Sequence, residues 1–232
     1  MDAVETAPLE QVTQTALSAP EYGPQGLSDK KEEVRRPGPD VDAEAVDRFR
    51  RLLERAQRCG LPEPTAMTLA TTDAQGHPSA RTVLLKEVDE RGFVFYTSLA
   101  SRKAQQLAVA PSAALCFFWQ PLMEQVLVEG AVEQVSDEEA DTYWASRPRT
   151  HQLGAWASRQ SSRLDCPRTL DLRWVEQALK FLGQRVPRPS FWTGFRVVPH
   201  RIEFWKRRAG RLHERVLYER HAAQWEKYWL YP

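Results

Sequence analysis

The segment Ile202-Glu203-Phe204-Trp205-Lys206-Arg207-Arg208-Ala209-Gly210-Arg211-Leu212-His213-Glu214-Arg215 packs aromatics, cations and an imidazole into one short span. Its pattern predicts a strand ending in two aromatics, a tight basic turn and a second strand. Alternation on that second strand sets Arg211, His213 and Arg215 on one face. Two guanidiniums and an imidazole side by side repel, and an anionic or electron-rich ligand lying across them relieves the repulsion. A basic edge strand, charged against edge-to-edge pairing, gives the same pattern.

Three further groups carry cations at suggestive spacings. In Arg81-Thr82-Val83-Leu84-Leu85-Lys86 a cation stands at each end of an apolar strand. A regular strand sends Arg81 and Lys86 to opposite faces, where both snorkel from a rim; a bulge or an edge-on ligand brings them together. In Tyr96-Thr97-Ser98-Leu99-Ala100-Ser101-Arg102-Lys103 a strand ends, hydroxyls follow, and two cations open a helix. Free N–H groups there, with Arg102 and Lys103, make an anion cradle suited to phosphate, although Ser-Arg-Lys also opens solvated helices. Tyr143 and Arg147 stand four apart on a predicted helix, ahead of Thr150-His151-Gln152, as a second phosphate site or a surface stacking pair. Arg159-Gln160-Ser161-Ser162 offers amide and hydroxyl groups for the rim of a heteroaromatic ring. Together these residues supply cations for two phosphates, with Gln125, Gln160 and Trp205 as amide or planar partners. No G-x-G-x-x-G or G-x-x-x-x-G-K-[S/T] motif supports a Rossmann or P-loop site.

The elements that must position these groups read as mainly β with helices. Val46, Phe49, Leu52, Leu53 and Ala56 give an amphipathic helix ending at Gly60. Strands are expected over 66–72, 79–86, 93–98, 113–119 and 125–135, with a short helix at 101–109. Ser136 and Glu139 form a capping box opening a helix that Pro148 stops, and 167–183 is another helix. Strands return at 194–198, 201–205, 214–218 and 225–230. Hairpin-linked strands imply an antiparallel sheet that closes into a barrel. Residues 1–40 hold five of the 16 prolines and neither Trp nor Phe, and are expected to be a disordered tail. Residues 41–232 form the expected single domain, with 187–232 as its C-terminal strands. Trp192, Phe204, Trp205, Trp225 and Trp229 there exceed what a small barrel hides, which implies dimerisation.

Composition narrows the classes. The 232 residues are 42% hydrophobic and 27% charged, with a net charge of +1, which fits a globular enzyme and argues against a nucleic-acid binder. Cys59, Cys116 and Cys166 lack metal spacing, so no metal is expected and the thiols are read as reduced. No apolar run approaches a membrane span. A cytoplasmic protein is the expectation.

From about residue 42 to Pro232 the order of motifs resembles the pyridoxamine 5'-phosphate oxidase family. Glu203-Phe204-Trp205, five residues and Arg211-Leu212-His213-Glu214-Arg215 are close to its C-terminal signature. The segment Arg81-Thr82-Val83-Leu84-Leu85-Lys86 and the runs Phe95-Tyr96-Thr97, Ser101-Arg102-Lys103, Gln125-Val126, Ser146-Arg147-Pro148, Gln152-Leu153-Gly154-Ala155-Trp156 and Gln160-Ser161-Ser162 follow its order. The resemblance implies a six-stranded antiparallel FMN-binding split β-barrel with peripheral helices, dimeric, with FMN at the subunit interface. It assigns Arg81, Arg102 and Lys103 to the FMN phosphate. Thr82, Val83, Leu84, Leu85, Lys86, Tyr96, Thr97, Gln125, Gln160, Ser161, Trp205 and Arg215 then line the rest of the cofactor. Lys86, Tyr143, Arg147 and His151 fall at the substrate phosphate, and Arg211 and His213 at the substrate ring as catalytic residues.

The implied reaction is oxidation of pyridoxamine 5'-phosphate and pyridoxine 5'-phosphate to pyridoxal 5'-phosphate by O2, releasing H2O2. A phenazine-type ring oxidase and a non-catalytic flavin or pyridoxal phosphate carrier are the rival expectations. The chain departs from the family pattern at His151, Glu124, Thr193 and Lys206, where a small residue, Arg, Gly and Gln or another small or polar residue are usual.

Overall fold

The computed structural model describes residues 41–222 and 224–232; the expected tail, 1–40, lies outside the described residues. Helix α1 (Val41–Arg58) buries Val46, Phe49, Leu52 and Ala56, the spacing that its sequence pattern calls for. The barrel strands are β1 (Ala66–Thr72), β2 (Pro78–Leu84), β3 (Glu87–Asp89), β4 (Gly92–Ser98), β5 (Ser112–Trp119), β6 (Glu124–Gln134) and β7 (Trp192–Lys206). Helix α2 (Arg102–Val109) follows β4. Helices α3 (Asp137–Ser146), α4 (Arg149–Ala157) and α5 (Pro167–Lys180) separate β6 from β7, and β8 (Glu214–His221) and β9 (Gln224–Trp229) end the chain.

All strand pairs are antiparallel, in the order β2-β1-β5-β6-β7-β4-β3. Its two ends, β2 and β3, are consecutive in sequence, separated by Leu85 and Lys86 alone. Leu85 N–H donates to Thr65 O on one side and Lys86 N–H to Val94 O on the other, both at 2.9 Å. Counting β2 and β3 as one bent strand, six strands close a split barrel. The core is aromatic at one end: the Phe49 ring from α1 lies 4.9 Å from both Phe93 and Phe117. All three are fully buried, each stabilising the fold by about 1.5–3 kcal/mol.

Strand β7 spans two expected strands without a break. Its first half pairs with β4, its second half with β8, and β6 runs along both. At Gly194 an added Cβ would stand 2.7 Å from the Tyr96 ring, so this crossing needs glycine.

Two local expectations are corrected, and one element is added. Residues 149–157, to which the sequence pattern assigns no element, form helix α4, whose start carries no side-chain cap to announce it. Arg147 is the residue after α3, extended at ψ 141°, so it does not share a helix face with Tyr143. Arg211 is not on a strand. It closes a 3-10 turn, Ala209–Arg211, in which Gly210 (φ 64°) and Arg211 (φ 62°) are both left-handed, and β8 begins only at Glu214. The expected row of three on one strand face therefore does not form.

Candidate functional site

A cleft of about 810 Å³ opens where β2, the end of β4, the start of α2, the α3–α4 junction and loop 158–162 meet. Arg81, Lys86, Arg102, Lys103 and Arg147 all line it, with His151, and among the described residues no carboxylate does. Cations gathered this way raise one another's energy until an anion joins them.

Ser101 caps α2, its hydroxyl accepting from Ala104 N–H, and this sets Arg102 and Lys103 on the first turn. Lys103 is 8% exposed. Its Nζ donates to Thr97 Oγ1 at 3.2 Å and to Gln160 Oε1 at 3.4 Å, so two neutral oxygens orient it and leave its charge uncancelled. The Arg102 backbone N–H donates to Ser161 Oγ at 3.1 Å, with Ser161 itself left-handed at φ 69°, a conformation that costs a non-glycine residue energy. Arg81 donates from Nη1 to Thr71 Oγ1 at 2.6 Å and to Leu69 O at 3.2 Å. Burial, then the neighbouring Arg102, holds the Arg81 guanidinium below its ordinary pKa; burial, then Arg81, does the same to Lys103.

A second group faces the first. Tyr143 stacks on Tyr96 with ring centroids 4.0 Å apart, Tyr96 lies 5.1 Å from Trp192, and the Arg147 guanidinium lies 4.7 Å from the Trp192 ring. Arg147 donates from Nη2 to His151 O at 3.2 Å, while its buried Nε has no partner. Burial, then Glu87 and Glu139, pushes the Tyr96 phenol up to about 12, and burial raises Tyr143, so both stay protonated donors at neutral pH. The stretch carrying Tyr143 is anchored by its capping box. Glu139 accepts from Ser136 N–H at 3.2 Å and from Arg196 at 2.9 Å, and lies 2.8 Å from Arg91. Led by the Arg196 hydrogen bond, these contacts hold the Glu139 carboxyl at about 2.

The cleft thus gathers Arg81, Thr82, Val83, Leu84, Lys86, Tyr96, Thr97, Arg102, Lys103, Tyr143, Arg147, His151, Gln160 and Ser161. Lys86 reaches it because the chain switches partner strands at Leu85. Leu85 does not line the cleft: its side chain is 4% exposed in the barrel core. Gln125, Trp205, Arg211, His213 and Arg215 also stand apart. Gln125, Trp205 and Arg215 are cross-strand neighbours on β6, β7 and β8. The Trp205 and His213 rings lie 4.8 Å apart, and Arg208 N–H donates to His213 Nδ1 at 3.3 Å. Arg215 grips Glu203 with Nε and Nη2 at 2.7 and 2.9 Å, which raises its pKa.

Sequence reasoning missed Trp192 as the floor of the aromatic stack, and it missed Thr71, Ser79 and Gln106 behind Arg81. Gln106 had a signal: it falls three residues after Lys103, on the same face of α2.

The split barrel thus opens a cleft that collects cations into two groups, with no carboxylate among the described residues that line it. Residues 53–177 match the family described as pyridoxamine 5'-phosphate oxidase, and 192–232 match its C-terminal dimerisation region. A pyridoxine/pyridoxamine 5'-phosphate oxidase of Myxococcus xanthus is 52% identical over 192 residues, covering 83% of this chain and 93% of its own. One from Rubrobacter xylanophilus is 50% identical, covering 83% and 88%. PhzG from Burkholderia lata, solved with tetrahydrophenazine-1-carboxylic acid, has a TM-score of 0.78 at 30% identity, covering 86% of this chain and 99% of its own. The chain belongs to the pyridoxamine 5'-phosphate oxidase family.

Proposed function

We propose that the protein is an FMN-dependent oxidase that converts pyridoxamine 5'-phosphate and pyridoxine 5'-phosphate to pyridoxal 5'-phosphate. One observation carries this: two separate cation groups face one cleft with no acid between them, as a phosphorylated cofactor and a phosphorylated substrate require. The names of relatives at about half identity support the same reaction. The residues present fit FMN. Buried Lys103 keeps its charge uncancelled, and the buried Arg147 Nε, without a partner, leaves a donor for the substrate phosphate.

Arg81, Arg102 and Lys103 would hold the FMN phosphate, and Thr97, Gln160 and Ser161 the adjoining rim. FMN supplies two-electron redox chemistry, with O2 as acceptor and H2O2 as product. Lys86, Tyr143, Arg147 and His151 would grip the substrate phosphate, so binding far from the reacting carbon enforces alignment. Gln125, Trp205, Arg211, His213 and Arg215 do not line the cleft of their own chain and would come from a second copy, making the active unit a homodimer. Because Arg208 N–H occupies His213 Nδ1, a neutral His213 carries its proton on Nε2. There it would donate to the substrate ring while Arg211 covers the ring face.

The likeness to PhzG favours one other reading, oxidation of a reduced phenazine ring. Lys86, Tyr143 and Arg147 favour the phosphorylated substrate. A spectrum of the purified protein, chromatography of released flavin and a peroxide-coupled assay with pyridoxamine 5'-phosphate test the proposal. A yellow protein releasing FMN and producing peroxide is expected. Colourless protein that takes up no added FMN, or peroxide formed only from a dihydrophenazine, overturns it.

A further inference from the structure

Arg81, which lines the cleft, is held by a closed ring of hydrogen bonds whose other members, Thr71 and Gln106, do not line it. Arg81 Nη1 donates to Thr71 Oγ1 at 2.6 Å, Thr71 Oγ1 donates to Gln106 Oε1 at 2.6 Å, and Arg81 Nη2 donates to the same Gln106 oxygen at 3.2 Å. The Gln106 amide Nε2 donates in turn to Ser79 Oγ at 3.1 Å. Thr71 is 3% and Gln106 4% exposed, so the ring is fixed by packing as well as by its bonds. It joins three elements: β1 through Thr71, β2 through Ser79 and Arg81, and α2 through Gln106.

The chemistry of the hub is informative. A half-buried arginine is most simply oriented by a carboxylate, as Arg215 is by Glu203. Here the acceptor is a neutral amide, which aims the guanidinium without cancelling its charge. Lys103 follows the same rule on the other side of the cradle, with its contacts to Thr97 and Gln160 both neutral. A guanidinium pinned at Nη1 and Nη2 has lost its rotamer freedom before the ligand arrives, so less is lost on binding.

We propose that Gln106, acting with Thr71, is a positioning residue that preorganises Arg81 for a terminal phosphate and keeps its charge available. This rests on the flavin reading above for the ligand, though not for the geometry. Binding of FMN and of riboflavin, which lacks the phosphate, to the apoprotein tests it by flavin fluorescence, with inorganic phosphate as a third probe read by its competition or by thermal shift.

Gln106→Leu and Gln106→Glu are each expected to weaken FMN binding by roughly 10-fold or more, the scale of one charge-assisted hydrogen bond, and to leave riboflavin binding unchanged. Gln106→Glu is expected to be the worse for FMN even though it keeps the acceptor oxygen, because it neutralises Arg81. Thr71→Val is expected to repeat the FMN loss and Thr71→Ser to retain wild-type affinity, which keeps the test decisive if a Gln106 variant does not fold. FMN affinity unchanged in the variants, or FMN and riboflavin lost in equal measure, overturns the proposal. Wild-type protein that binds neither flavin yet binds inorganic phosphate in a Gln106-dependent way overturns the flavin reading and upholds the positioning role. Phosphate binding indifferent to Gln106 in such a protein overturns both.

Discussion

Glu124 and Lys206 are cross-strand partners on β6 and β7, with their charges 3.6 Å apart. Both are positions at which the resemblance leads one to expect other residues, and here the two side chains meet. Arg55 of α1 completes it, donating to Glu124 Oε1 at 3.2 Å. The pair stands at the register position next to that of Gln125 and Trp205, so it braces the place of residues proposed for the second half of the site. Glu124→Arg places three cations together and is expected to lower Tm by several degrees, with Lys206→Gln in the same chain recovering part of the loss. Calorimetry of both variants checks this. The Glu124–Lys206 coupling in a double-mutant cycle should be small, about 0.2–1 kcal/mol, because Lys206 is half exposed.

Two variants separate cofactor from substrate. Arg102→Ala is expected to weaken FMN binding by about 1.5–3 kcal/mol, with activity restored by excess FMN. Arg211→Ala is expected to lower kcat/KM by roughly 10²-fold at unchanged flavin content. If added FMN rescues both, Arg211 belongs to the cofactor.

Sites built from two chains give a complementation test. Arg81→Ala and Arg211→Ala homodimers should both be poorly active. Co-refolded, they should recover roughly a quarter of wild-type activity, since half the dimers are mixed and each mixed dimer has one intact site. Activity that never exceeds the two homodimers would mean that both residues serve a site within one chain.

Glu139 makes stability depend on acid. Its folded pKa of about 2 lies below the ordinary 4.5, so its contribution is complete above about pH 4.5 and fades as pH falls towards 2. Glu139→Gln should cost about 1.5–3 kcal/mol at neutral pH, and the gap to wild type should close below pH 4. Denaturant melts across that range check the sign.

The strands and the capped helices were legible because their residues obey short-range rules: alternation in β1 and β5, and Ser136 with Glu139 at α3. Helix α4 was not, since it opens on Pro148 without a side-chain cap and is held by tertiary packing, with Trp156 against Phe181 and Phe191. The cations of the cleft were legible as types. Their division into a cleft and a separate face was not, because spacing along a chain carries no sign of which side chains the fold brings together. Arg211 left its expected strand because two left-handed residues in succession end the alternation.

At Leu85 and Lys86 the barrel is closed by covalent chain instead of by a ladder. Opening the seam would break the hydrogen bonds that the Leu85 and Lys86 N–H groups donate to Thr65 O and Val94 O together, and pull Lys86 away from the cleft. The lysine proposed for the substrate phosphate is thus also the clasp of the barrel. Hydrogen exchange at those two amides should proceed only through global unfolding, and a bound phosphate should slow the whole molecule's opening, not that of one loop.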